Sequence, residues 1–532
     1  MVRTRKRERA AVTRPAVFAL TLSVLFLLTG WTTKVGTPQS SPSAELSRHV
    51  RYLASEELMG RAVGTPGIDL ARNYIGRQFA QYGLLPGGDD GTYFQAVEAV
   101  TGVKLKDGSE VAVAGARLAP NREWTALGFS ASAKVEGEMV FAGYGITDAK
   151  YGYDDYAGVD VKGKIVVVLR YEPPPKNDRS PFRGHPRYSR HAALRAKADN
   201  ARDHGAAGII LVDLNSAEEG EKELISLGRT FSRSDYGLVA AQVSRRALER
   251  ALAETGLSLQ ARKEKIDREE RPASIPLGLK VSLDIHLERI TAKADNVIGI
   301  LPGSLGKDEH IIIGAHYDHL GLGHFGTPDA SAEGRIHYGA DDNASGTAVL
   351  LWLAEELVRQ PHRLPVSVAF VAFTGEELGL YGSRQYVTRP PLPLPSAKAM
   401  INLDMVGRLR NNRLMVAGAD TAKEFREILS PAEFDLSLEV SPGVGRSDHV
   451  SFYNRKVPTL HFYTGGHEDY HRPTDTWEKL NVEGMGKVGR FVLHTLRRIA
   501  GTAGPLTFVR LPPDAGRRDE PTPTSPPQAP SP

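Results

Sequence analysis

Four apolar runs, each leading into a histidine or an acid, restrict what the second half of this chain can fold into. Ile311 to Ala315 delivers His316, Val366 to Phe373 leads to Glu376 and Glu377, Met400 to Leu403 runs into Asp404, and Val457 to Tyr463 precedes a loop that carries His471. Continuous apolar runs of this length are strands buried on both faces, as in a parallel sheet covered by helices. Between the first two lies a glycine-framed turn, Gly339 to Gly346, and then Thr347 to Arg359, where Val349, Leu350, Leu353 and Leu357 fall at helical spacing. The expected fold is therefore α/β, with a mixed, mostly parallel sheet flanked by helices. In such a sheet the functional groups collect beyond the carboxyl ends of the strands.

The residues at those ends form a coherent chemical set. His316, Asp342, Glu377, Asp404 and His471 supply two imidazoles and three carboxylates, and Glu376 remains as an uncommitted acid. That inventory suits a pair of hydrolytic zinc ions. His316 and Asp318 are two residues apart, so in extended chain they share a face and the carboxylate is able to orient the imidazole. Adjacent side chains diverge as they leave a strand, which suits Glu376 and Glu377 to different jobs, one as proton acceptor and one as ligand. Asp341 is the residue most readily exchanged with Asp342, and its plain reading is support of the loop. Ser447-Asp448-His449 reads as a structural turn, and His319, His324, His337 and His467 as non-ligands lining the same loops.

In order, His316-Tyr317-Asp318, Gly339-Ala340-Asp341-Asp342, Gly375-Glu376-Glu377, Asn402-Leu403-Asp404 and Tyr470-His471 resemble the motifs of the co-catalytic zinc exopeptidases of the bacterial leucyl aminopeptidase and glutamate carboxypeptidase family. The resemblance implies a zinc exopeptidase fold and two Zn²⁺ per chain, with Asp342 bridging them. His316 and Asp404 would complete one site, and Glu377 and His471 the other. Glu376 would be the general base, with Asp318 holding His316. Aminopeptidase action on peptides is the expected activity. The alternatives are a carboxypeptidase, a one-zinc enzyme of the glutaminyl-cyclase kind, and a non-catalytic scaffold, which the full ligand set disfavours.

Short strands and turns from Lys134 onward, a helical stretch from Arg190 to His204 and the strand Ile209 to Val212 resemble a protease-associated domain. The expected organisation is a peptidase domain at 45–125 and 288–506, interrupted by a mainly β insert at 126–287. Such inserts commonly cover one side of the active-site cleft, so this one is expected to limit access or choose substrates, or else to act as a spacer. A basic cluster, Arg3 to Arg14, precedes the apolar run Ala16 to Leu28, so residues 1–36 read as a signal peptide, or a membrane anchor if uncleaved, with 37–44 as a linker. Secretion or a periplasmic location follows. Residues 507–532 read as a disordered, proline-rich tail. The chain has no cysteine, hence no disulfide and no thiol ligand, and its net charge of +4 gives no case for nucleic acid.

Overall fold

Helix and strand alternate through the second half as the apolar runs require, and they build one nine-stranded mixed sheet. The computed structural model describes residues 42–512, apart from 185–187, 216–222, 231, 233, 307–308, 432 and 442. The segments expected as a signal peptide and the tail beyond residue 512 lie outside the described residues. Among the described residues no helix is long and apolar enough to cross a membrane.

At the centre of the sheet, Ser367–Phe373, His310–His316, Ala397–Leu403 and Thr459–Tyr463 lie side by side and parallel. Antiparallel strands, Leu287–Leu301 and Arg413–Ala417, flank this core. The register sets His316 opposite Phe373, and Leu403 opposite Phe462, so the carboxyl ends of the four strands finish level and release their polar loops at one edge. Both faces are covered. Helix Gly346–Arg359 packs between the sheet and helices Pro42–Leu53, Pro66–Tyr82 and Val482–Gly501, burying Leu350, Leu353 and Leu357. On the other face Tyr386 and Phe452, from helices Tyr381–Thr388 and His449–Tyr453, pack on Phe373 and Met400.

A long antiparallel ribbon, Phe94–Leu105 against Leu287–Leu301, carries the chain out of this sheet and back. Beyond it stands a second, eight-stranded sheet with a parallel centre of Ala133–Phe141, Ile165–Leu169, Gly208–Val212 and Val239–Val243. Its edges are Trp124–Ala126, and Glu110–Val113 with Ala116–Arg117. The inserted sheet thus starts earlier than the boundary expected at residue 126, because the short strands after the ribbon find their partners there. Two other boundaries also move. The first helix begins at Pro42, inside the expected linker. Residues 507–511, expected as disordered tail, dock beside the nine-stranded sheet: Phe508 bridges Ala422, and the Leu511 amide donates to the Tyr453 hydroxyl.

Candidate metal centre

His316, 1% exposed, leaves its strand end with Nε2 3.2 Å from Asp342 Oδ1 and 3.4 Å from Asp404 Oδ1. On the other side of the same carboxylate, His471 Nε2 lies 3.1 Å from Asp342 Oδ2 and 3.1 Å from Glu377 Oε2. Tetrahedral donors about 2.0–2.1 Å from a zinc ion stand about 3.4 Å apart, so both sets have the spacing of a ligand shell. His471 Nδ1–H donates to the Gly326 carbonyl at 3.1 Å, which turns Nε2 toward the Asp342 and Glu377 carboxylates. That bond presents the other ring nitrogen to the site, as outer hydrogen bonds to ligating imidazoles do. The donor set fits two zinc ions sharing Asp342.

The loops that hold these side chains are cross-braced. Asp341 and Asp342, in the turn Ala340–Ser345, donate their amides to Asp475 Oδ2 at 2.9 and 3.2 Å, and Arg408 binds the other Asp475 oxygen at 3.0 Å. Asp341 turns away from the shared site. Its Oδ1 accepts from the Gly407 amide and the Ser345 hydroxyl, and its Oδ2 faces His467 at 3.2 Å. The expectation for Asp318 is modified. His316 Nδ1 donates to the Asp318 main-chain oxygen at 3.2 Å, with the carboxylate 3.8 Å away. The Asp318 carboxylate instead accepts the amides of Glu376 and Glu377 at 3.1 and 3.3 Å, and so fixes the turn that separates those two side chains.

His319, which the sequence gives no ligand role, places Nδ1 2.7 Å from Glu377 Oε1 and 3.9 Å from Asp342 Oδ2. His319, Asp342 and Glu377 thus stand close enough to hold an ion, while His471 Nε2, at 3.1 Å from both carboxylates, has the tighter spacing to Asp342, and His319 Nδ1 hydrogen-bonds Glu377. His319 follows His316-Tyr317-Asp318 directly, and that adjacency is the one signal in the sequence that points to it. Asp475 and Arg408 carried none.

Burial works against ionisation of Asp342, yet its contacts with His316 and His471 hold its carboxyl well below the usual range. Glu377 is likewise held low, against burial, by His471. Glu376 goes the other way. Burial raises its pKa well above the usual value; His316 opposes the shift, and the charges of Glu377, Asp404 and Asp448 reinforce it. Two neighbouring glutamates with opposite proton affinities can divide the work of binding a cation and carrying a proton. Tyr470 completes the rim. It stacks on the His471 ring at 3.9 Å, and desolvation of its hydroxyl beside the site, with the field of Asp342, Glu377, Glu376 and Asp404, pushes the hydroxyl above its usual value.

Residues 296–496, which contain every one of these ligands, match peptidase family M28, and residues 135–250 match the PA domain. Over residues 296–496 the chain carries an M28 peptidase domain, and over residues 135–250 a PA domain. The match to M28 spans the central strands and all five candidate ligands, and the PA match lies within the second sheet. The aminopeptidase YwaD of Bacillus subtilis (strain 168) is 26% identical over 361 residues, which cover 65% of this chain. The chain spans 64% of the length of that relative. An aminopeptidase structure from Aneurinibacillus sp. strain AM-1 superposes with a TM-score of 0.54 at 23% identity, covering 88% of this chain and 96% of that one. The zinc aminopeptidase BSAP from Bacillus subtilis gives 0.51 at 21% identity, covering 89% and 97%. At these identities the two structures speak for the M28 fold together with its insert.

Proposed function

We propose that this chain is an exported two-zinc aminopeptidase that removes N-terminal residues from peptides. The observation that carries the reading is the division of the Asp342 carboxylate, one oxygen meeting His316, which also meets Asp404, and the other meeting His471, which also meets Glu377. His316, Asp404 and Asp342 would hold one ion, and His471, Glu377 and Asp342 the other. Bound there, a pair of zinc ions supplies Lewis acidity that polarises a peptide carbonyl and acidifies water. Glu376, half-buried and free of ligand duty, takes the proton of the attacking water and passes it to the leaving amine. The Tyr470 hydroxyl, protonated at the rim, donates toward the oxygen on which negative charge develops. The aminopeptidase names of the relatives favour the N-terminal end of the substrate, and the basic cluster with the apolar run at 16–28 favours export.

Hydrolysis of a panel of free-amine and N-blocked aminoacyl substrates, with zinc counted in the same preparation, tests this. The expected result is cleavage of free-amine substrates alone at about two zinc per chain. Cleavage from the carboxyl terminus would replace aminopeptidase by carboxypeptidase. A fully active enzyme with one zinc would overturn the shared-carboxylate reading.

A further inference from the structure

Arg61 takes no part in that chemistry, yet its side chain is completely enclosed, at 0% exposure. Its Nε donates to the Tyr317 carbonyl at 2.8 Å. Nη1 donates to the carbonyls of Leu53 and of Tyr338, the latter at 2.8 Å, and Nη2 to that of Gly339 at 2.9 Å. Tyr317 immediately follows the ligand His316, and Tyr338-Gly339 leads into the turn that carries Asp342. One planar cation therefore joins the two ligand-bearing loops to the end of the first helix. A buried guanidinium is costly unless its donors are matched and its charge is answered. Here the carbonyls match the donors. The charge is opposed by burial, which lowers the pKa to about 10, and answered by Asp318, Asp342, Asp475 and Glu377, so it stays positive at neutral pH.

The backbone around Arg61 is built for this placement. Met59, Gly60 and Arg61 are all left-handed, with φ of 46°, 72° and 51°. A Cβ at Gly60 would stand 2.4 Å from the His337 carbonyl, so only glycine allows so close an approach. The carbonyls of the same turn accept the amides of His319 at 3.2 Å and Gly321 at 3.0 Å. Main chain and side chain together fasten residues 60–61 to the loop that follows His316.

We propose that Arg61 is a positioning residue of the metal centre: by holding the carbonyls of Tyr317, Tyr338 and Gly339 in one rigid fork, it sets the separation of His316 from Asp342 and thereby the affinity for the second cation. The proposal rests on the two-cation reading. Lysine keeps the charge but not the planar fork, and glutamine keeps two donors but not the charge, so Arg61→Lys and Arg61→Gln separate geometry from electrostatics.

The test is titration of the metal-free full chain with zinc against a chromophoric chelator, alongside melting curves and peptide kinetics. Arg61→Lys is expected to melt cooperatively, to bind its first zinc within about threefold of the wild type, and to bind its second about tenfold or more weakly. Its kcat at limiting zinc falls and recovers with excess zinc, while KM is unchanged; a merely structural residue would lower the melting temperature and leave the second affinity alone. A folded Arg61→Lys or Arg61→Gln that binds both ions as tightly as the wild type overturns the role. If both variants fail to fold, amide exchange in the wild type decides: zinc loading is expected to slow exchange of the Arg61 amide, which donates to the Leu58 carbonyl, and unchanged exchange overturns the coupling. A wild-type chain that takes up only one zinc overturns the two-cation reading itself and is read before any variant.

Discussion

At the scale of single residues, the centre is a crowd of acids whose protons are distributed by contact. In the metal-free protein the carboxylates around His316 and His471 raise both imidazoles well above their ordinary value, against the effect of burial. An imidazolium cannot bind a metal, so zinc uptake has to expel these protons. Calorimetry in buffers of different ionisation enthalpy is expected to show net proton release on zinc binding and an affinity that rises with pH through neutrality; uptake without proton release would contradict the ligand assignment. Glu376→Gln removes the proton acceptor without removing a ligand. It is expected to lower kcat by about 10²–10⁴ with both zinc ions still bound, since that is the usual yield of a positioned base. Retained turnover would assign the base elsewhere. That these side chains come together was legible because His316, Glu376, Glu377, Asp404 and His471 follow apolar runs and Asp342 sits in a glycine-framed turn between them. What Asp318 does was not, because spacing places two side chains on one face without saying which amides a carboxylate will meet.

At the scale of elements, the central strands and the helix Gly346–Arg359 were readable from hydrophobic periodicity, since burial on both faces leaves an unbroken apolar signature. The short edge strands were not. Glu110–Val113 and Ala116–Arg117 carry little periodicity, and only their pairing with Ile275–Ile285 and with each other assigns them to the inserted sheet. The first two helices meet through a contact that periodicity also cannot show. His49 Nδ1 lies 2.7 Å from the Tyr74 hydroxyl, with the Tyr82 hydroxyl 3.4 Å from Nε2, and the ring is 0% exposed. Burial, reinforced by Arg48, lowers its pKa to about 3. Unfolded, His49 takes a proton near its ordinary value of about 6.5, so between the two values the unfolded state binds more protons and stability falls as pH drops. The slope attributable to this residue is about 1.4 kcal/mol per pH unit below about pH 6.5. His49→Gln is expected to flatten the acid arm of a plot of urea midpoint against pH, and an unchanged arm would assign the acid sensitivity to other groups.

At the scale of the whole molecule, the inserted domain meets a loop that backs the site. The turn Leu227–Thr230 of the insert approaches residues 324–329 of the peptidase domain, and a Cβ at Gly228 would lie 3.5 Å from the His324 carbonyl. That loop supplies the Gly326 carbonyl that accepts from His471. It also carries Asp329, whose carboxyl is held below the usual range first by hydrogen bonds from Ser331, with burial opposing, and then by the charges of Arg472 and Arg229. Arg472 follows His471 in the chain, so the loop lies between a cation of the insert and a cation beside the metal centre. Exposed charge pairs contribute about 0.2–1 kcal/mol, at most about a fivefold effect on an equilibrium and too little to threaten the fold. Arg229→Glu is therefore expected to lower kcat/KM about two- to fivefold through KM, with zinc content unchanged and stability within about 0.5 kcal/mol of the wild type. Peptides long enough to reach the insert should lose more than dipeptides do. Equal kcat/KM for wild type and variant across both substrate lengths would leave the insert as a spacer, whereas a loss that grows with peptide length would make its turn part of the substrate cleft.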